Sequence, residues 1–241
     1  MTQIFAHRGA SGNYPENTML AFQEAERAGA DGIELDVQLS KDGEAVVIHD
    51  EKLGRTTNGR GYVKDYTYTQ LKKLNAAKLF GKSETIPSLE DVFCWMSGNE
   101  LLCIIELKNT QFLYPGIEEK VISLIREYGM EERVILTSFN HYSMVYCHRL
   151  APEVETSILY RDGLFMPWIY AKAIQAKSIH PNILAAPEVI ILSSIEQGIQ
   201  VRPYLINKES EMKRLFSIKC SAIITDYPKK AVSVRKNYHI M

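Results

Sequence analysis

The chain has 241 residues, 46% hydrophobic and 24% charged, with 14 Gly and 9 Pro, enough for a sizeable buried core in one large domain or two small ones. Its 28 Lys and Arg against 29 Asp and Glu leave a formal charge of −1, which argues against a nucleic-acid binder that depends on phosphate attraction. No run approaches the ~20 apolar residues needed to span a bilayer, and the N-terminal strand-like IFAH has no signal-peptide pattern, so a cytoplasmic protein without stable membrane insertion is expected.

Short β-rich runs alternate with helical stretches along the chain. Strands are expected at Gln3–Ala6, Gly32–Val37, Leu101–Leu107, Arg133–Thr137, Glu155–Tyr160, Ser178–His180, Gln200–Leu205 and Ala222–Thr225. Between the first two, Asn17 reads as the N-cap of a helix over Thr18–Ala28 that Gly29 closes. Ser88-Leu-Glu-Asp91 reads as a capping box before Val92–Met96, and Gly116–Tyr128 and Glu209–Phe216 continue the alternation. Eight strands with intervening helices predict a single (β/α)8 barrel over residues 1–241, with a doubly wound open sheet as the structural alternative. After the second strand, Ser40-Lys-Asp-Gly43 is too short for a crossover helix. The following Glu44–His49 run therefore reads as the return arm of a hairpin that sets His49 opposite Glu34. Residues 51–85, rich in turn formers, read as a small insertion. The four cysteines, Cys94, Cys103, Cys147 and Cys220, form no CxxC pair and read as small buried hydrophobes in a reducing compartment.

Chemistry concentrates at the strand ends. Glu34-Leu-Asp36 places two carboxylates on one face of a strand, because side chains alternate with period two. Glu106-Leu-Lys108 adds a third carboxylate and an ammonium. Either pair alone is most simply a set of ion pairs at a barrel rim. Together, three acids that repel and lose hydration need positive charge between them, which points to an oxygen-rich site for a hard divalent cation, Mg²⁺ or Ca²⁺, with Mn²⁺ also accepted. His7 and His49 end the first strand and the hairpin, where two imidazoles supply a proton acceptor and a donor. Gly9, Gly12 and Asn13 after Arg8 suggest a tight loop where backbone and guanidinium approach an anion. With one divalent cation, Arg8 and Lys108 against three carboxylates, the site carries about +1 before either imidazole is protonated, which suits a monoanionic phosphodiester.

The ordered set His7-Arg8-Gly9, Pro15-Glu-Asn-Thr18, Glu34-Leu-Asp-Val37, Lys41-Asp-Gly43, His49-Asp50, Glu106-Leu-Lys108, Ser138-Phe139 and Thr225-Asp-Tyr-Pro228 resembles the glycerophosphodiester phosphodiesterases over essentially the whole chain. The resemblance implies a TIM barrel of the phosphodiesterase type with an insertion after the second strand, and hydrolysis of a small-molecule glycerophosphodiester to glycerol 3-phosphate and an alcohol. It implies that Glu34, Asp36 and Glu106 hold the metal, that His7 and His49 are the acid–base pair, and that Arg8 and Lys108 bind the phosphate. Tyr204 stands where the family often has a tryptophan and is expected to form an aromatic wall. His180, at another strand end, is a further candidate for substrate contact. Asp226 reads as a loop or cap residue. Competing readings are a barrel phospholipase of the phosphatidylinositol or sphingomyelinase D type, for which Phe112–Tyr114 and Gly163–Trp168 would form an apolar lip, and a non-catalytic phosphate- or phospholipid-binding module. The apolar residues form no stripe that specifies an oligomer.

Overall fold

The computed structural model describes residues 1–238. Its strands are β1 (Gln3–His7), β2 (Gly32–Leu39), the short β3 (Ala45–Val47), β4 (Leu102–Leu107), β5 (Val134–Ser138), β6 (Glu155–Tyr160), β7 (Ser178–Pro181), β8 (Gln200–Val201) and β9 (Ala222–Thr225). Its helices are α1 (Met19–Arg27), α2 (Tyr68–Leu71), α3 (Leu89–Met96), α4 (Ile117–Glu127), α5 (His141–Leu150), α6 (Pro167–Ala173), α7 (Glu188–Glu196), α8 (Glu209–Ser217) and α9 (Pro228–Tyr238). All the strands but β3 run parallel, in the order β8-β7-β6-β5-β4-β2-β1-β9. Between β8 and β9 the ring closes through Ile206 N–H to the Ile224 carbonyl (2.9 Å) and Ile224 N–H to the Pro203 carbonyl (3.1 Å). A doubly wound open sheet is thereby excluded, and the eight-stranded barrel stands.

Every residue of β2 is buried, as a parallel strand covered on both faces requires. Its outward side chains Ile33, Leu35 and Val37 pack with Phe22, Phe93 and Val121 from the surrounding helices. Inside the barrel a smaller apolar plug forms from Phe5, Ile104, Ile135, Ala222 and Ile224. Gly32 belongs to this plug: a Cβ there would lie 2.5 Å from the Phe5 ring and 2.7 Å from the Leu102 carbonyl oxygen. A third cluster, Val46, Ile48, Leu53, Val63, Leu71, Ala76 and Ile86, is the core of the insertion between β3 and α3, which forms a small cap.

Three local expectations change. The Ser88 box is present, its Oγ accepting from Asp91 N–H, but the helix it starts is α3 from Leu89. The strand expected over Gln200–Leu205 is regular only at Gln200 and Val201, since Pro203 offers no N–H to a ladder. Cys103, Cys147 and Cys220 are buried thiols, whereas Cys94 is exposed.

The barrel interior also holds a polar group of consequence. His180 on β7 is fully buried, with Arg202 Nη1 3.4 Å from its Nε2, and Arg202 donates to Glu155 at 2.7 Å and Gln200 at 2.5 Å. Burial first, then the Arg202 charge, holds His180 well below the ordinary imidazole value. The unfolded chain takes up a proton near pH 6.5 that the folded chain refuses, so stability is complete above that pH and falls below it. Urea unfolding should show lower stability at pH 5.5 than at pH 7.5 from this residue. His180→Gln should remove that part of the dependence; an unchanged pH profile in the variant would contradict the buried neutral imidazole.

Candidate active site

The site is built at the C-terminal ends of β1, β2 and β4. Period-two alternation turns Glu34 and Asp36 to the same face, and the β2–β4 register sets Asp36 beside Glu106. Oxygens of Glu34, Asp36 and Glu106 all lie within 4.8 Å of one another, and all three residues are buried. Two cations accompany them. Lys108 Nζ is 2.7 Å from Glu106 and 3.9 Å from Asp36, while Arg8 Nε is 3.2 Å from Asp36. Ser138 Oγ lies 2.8 Å from the Leu107 carbonyl and 3.0 Å from Asn109 Oδ1, its one proton shared between them on the two sides of Lys108.

The loop from β1 to α1 brings Arg8 into place through left-handed backbone. Arg8 has φ 53°, Gly9 φ 79° and Asn17 φ 55°, a conformation that costs about 1–2 kcal/mol at a non-glycine residue. At Gly9 a Cβ would meet the Ala21 backbone at 2.6 Å, so α1 can approach only a glycine. Arg8 N–H donates to Glu34 Oε2 at 2.9 Å, and Asn17 Nδ2 donates to Asp36 Oδ2 at 2.8 Å. That bond corrects the expected cap. Asn17 is drawn to the carboxylate, and Thr18 caps α1, its Oγ1 accepting from Ala21 N–H.

His7 and His49 have the same construction. His7 Nδ1 is 2.7 Å from Asp226 Oδ1 and His49 Nδ1 is 2.6 Å from Asp50 Oδ1. A carboxylate on Nδ1 places the proton there and leaves Nε2 as the nitrogen with the free lone pair in the neutral ring. His7 Nε2 lies 4.0 Å from Glu34. His49 reaches the site by a route other than the expected hairpin register. Val37 pairs with Val47 and Leu39 with Ala45 across a loop of Ser40–Glu44, one residue displaced from the expectation that set His49 against Glu34. The cause is the loop, where Ser40 N–H bonds to the Glu44 carbonyl and Gly43 takes φ 81°. β3 ends at Val47, and His49 is positioned instead by Gln38, whose Nε2 lies 2.9–3.0 Å from the carbonyls of Ile48, His49 and Asp50. Tyr114 Oη in turn donates to Gln38 Oε1 at 2.8 Å.

Burial and mutual repulsion act on all three carboxylates. Burial, then Asp36, raises Glu106 to about 7 against the pull of Lys108. Burial and Asp36 also raise Glu34 well above the carboxylate range. For Asp36 burial acts upward, yet Arg8, His49 and Lys108 together hold it ionised. Asp36 Oδ1 is buried without a hydrogen-bond partner. Three converging hard oxygens, one of them orphaned and two forced toward protonation, fit a hard divalent cation.

The remaining candidates divide. Tyr204 lies on the barrel wall, where its hydroxyl donates to the Tyr160 carbonyl at 3.1 Å; burial raises it to about 12, and it feels both Arg161 and Glu106. Arg161 stacks on Phe139 with its guanidinium carbon 4.9 Å from the ring centroid. His180 does not join this group: it is 0% exposed and turned to Arg202. Asp226, expected to be a loop or cap residue, is the partner of His7, held there by Asn207 at 2.6 Å and Ser11 at 3.1 Å. Its signal was topological, since closing the barrel makes the last strand the neighbour of the first. Of the expected apolar lip, Leu113 (72% exposed) and Phe165 (88%) are outside, but Tyr114 is buried. No helix of the described residues is long and apolar enough to cross a membrane.

The Glycerophosphoryl diester phosphodiesterase family matches residues 7–230. A glycerophosphodiester phosphodiesterase of Bacillus altitudinis is 47% identical over 98% of this chain and 99% of its own. That of Caldanaerobacter subterraneus subsp. tengcongensis is 45% identical over 98% of both. Among solved structures, an Oleispira antarctica phosphodiesterase in complex with the product sn-glycerol-3-phosphate superposes with a TM-score of 0.88 at 28% identity, over 98% of this chain and 97% of that one. The chain belongs to the glycerophosphoryl diester phosphodiesterase family and is an enzyme of that class.

Proposed function

We propose that the chain hydrolyses glycerophosphodiesters to glycerol 3-phosphate and an alcohol, with a divalent cation held by Glu34, Asp36 and Glu106 and with His7 and His49 as the acid–base pair. The observation that carries this reading is the pair of imidazoles, each with Nδ1 engaged by a carboxylate, beside one buried cluster of three carboxylates. A cation bound there supplies Lewis-acid stabilisation of the phosphodiester oxygens. Arg8 and Lys108 hold the phosphate and offset charge that grows as the bond breaks. One imidazole takes the proton of the attacking oxygen at Nε2, and the other returns a proton to the departing alkoxide. Tyr204 and Phe139, both beside Arg161, line the wall against which the substrate's alcohol rests.

A second reading, a lysophospholipid in place of a water-soluble diester, is favoured by apolar side chains on the strand-end loops. Leu113, Phe165 and Leu184 are 72%, 88% and 91% exposed, and a cavity of about 620 Å³ lined by Phe139, Tyr142 and Tyr170 opens beside Asn109. Comparing kcat/KM on glycerophosphocholine and lysophosphatidylcholine separates the two: preference for the soluble diester is expected, and retention on liposomes with preference for the lipid would reverse it.

Release of glycerol 3-phosphate from glycerophosphocholine should be abolished by EDTA and restored by one of Mg²⁺, Ca²⁺ or Mn²⁺. His7→Ala and His49→Ala should each lower kcat by about 10²–10⁴-fold. Near-normal kcat in either variant would remove that residue from the pair. Glu106→Gln should weaken Mn²⁺ binding, read by calorimetry, at least ~10-fold; unchanged affinity would place the cation elsewhere.

A further inference from the structure

Arg55, in the cap directly after the His49-Asp50 pair, makes an unusual set of contacts. Its Nε donates to Asp50 Oδ2 at 2.5 Å and its Nη2 to Asp50 Oδ1 at 2.9 Å. The same guanidinium donates through Nη1 to Glu16 Oε2 and through Nη2 to Glu16 Oε1, both at 2.7 Å. Asp50 is the carboxylate on His49 Nδ1, and Glu16 is the carboxylate on Arg8 Nη1 at 2.8 Å. One planar fork therefore grips the two carboxylates that orient a proposed acid–base imidazole and a proposed phosphate ligand. Its backbone is fastened as well. Leu53, two residues before, is fully buried in the cap core, and Thr57, two residues after, bonds back to the Leu53 carbonyl through N–H and Oγ1.

We propose that Arg55 is a positioning residue which holds His49 and Arg8 in fixed relation to each other by clamping Asp50 and Glu16, so that docking of the cap completes the active site. The inference rests on the functional reading above. Stability is a poor explanation for these bonds: the Arg55 side chain is 42% exposed, and ion pairs at that exposure contribute little to folding. Geometry is the better one, because bidentate guanidinium–carboxylate bonds fix orientation as well as distance. The contrast with the other imidazole supports it. Asp226, on His7, is held by neutral Asn207 and Ser11, whereas Asp50 is held by a cation that also reaches across the site. Without Arg55, Asp50 and Glu16 lose their shared counter-charge. Asp50 is then free to leave His49, and Glu16 draws Arg8 toward itself and away from the phosphate.

The test combines kinetics with a measurement that needs no substrate. In Arg55→Gln, kcat on glycerophosphocholine should fall about 10–100-fold, the scale of a small misplacement of a reacting group, and KM should rise. Arg55→Lys keeps the charge without the fork and should recover part of the loss. In an Asp50→Asn, Glu16→Gln background, adding Arg55→Gln should change kcat less than about threefold, because Arg55 acts through those two carboxylates. Values of kcat and KM within about twofold of the unmodified enzyme in Arg55→Gln, or a loss from Arg55→Gln that persists in full in the Asp50→Asn, Glu16→Gln background, would overturn the proposal. Independently, ¹⁵N shifts of His49 should report the Nδ1-protonated tautomer in the unmodified protein and a mixture in Arg55→Gln. An unchanged tautomer also overturns the proposal. If the unmodified protein turns over no glycerophosphodiester, the functional reading fails and the tautomer alone decides for or against Arg55.

Discussion

Three carboxylates buried within 4.8 Å of one another are the constraint around which the rest of this molecule is arranged. Each loses hydration and each repels the other two, so the fold must bring compensation to the same few cubic ångströms. Lys108 comes from the residue just past the end of β4, and Arg8 from the residue just past β1, which pairs with β2 on its other side. Asn17 supplies a neutral donor from the loop that follows. The left-handed turns at Arg8, Gly9 and Asn17 make sense in these terms. An unstrained loop would not aim one backbone N–H, one guanidinium and one amide at Glu34 and Asp36, and the strain is held because α1 packs directly on Gly9. Even so, the compensation is incomplete, with Glu106 near 7 and Asp36 Oδ1 without a hydrogen bond. A purely structural cluster would be complete within the protein; the chemistry of this one fits a hard cation.

Around that centre the barrel does what its topology permits. The strands converge at their C-terminal ends, so residues distant in sequence meet without long loops. Barrel closure puts Asp226 of the last strand's end beside His7 of the first, and the antiparallel β3 brings His49 back toward β2. The two imidazoles thus each acquire a carboxylate on Nδ1, one from ring closure and one from a hairpin and its cap. The cap's hydrophobic core is separate from the barrel's. Its polar bonds to the site run through Asp50 and Glu16, which makes the junction, rather than the cap interior, the part with chemical consequence.

Much of this was legible in the chain. Period-two placement of Glu34 with Asp36, and of Glu106 with Lys108, needs only strand geometry, and eight strand–helix alternations point to the barrel, although only the closing bonds between β8 and β9 exclude an open sheet. What was illegible is what depends on loops and closure. Whether Asn17 or Thr18 caps α1 is decided by a carboxylate 19 residues away. The hairpin register turns on how Ser40 and Gly43 close their loop, and a shift of one residue there is invisible to periodicity. His180 has the right strand position for a ligand contact, yet Arg202, 22 residues later, takes it into the barrel interior. Asp226 could be found only by asking which strand neighbours the first in a closed ring. Side chains that hold other side chains leave weaker traces than those that meet substrate, because their partners are set by tertiary geometry.

The central claim is that the Glu34–Asp36–Glu106 cluster exists to bind one divalent cation. Crystals grown with Mn²⁺ and measured for anomalous scattering test it most directly. A single strong peak about 2–2.5 Å from oxygens of all three carboxylates is the predicted result. A peak elsewhere with none in the cluster, or Lys108 filling the space between the three at saturating Mn²⁺, would contradict it.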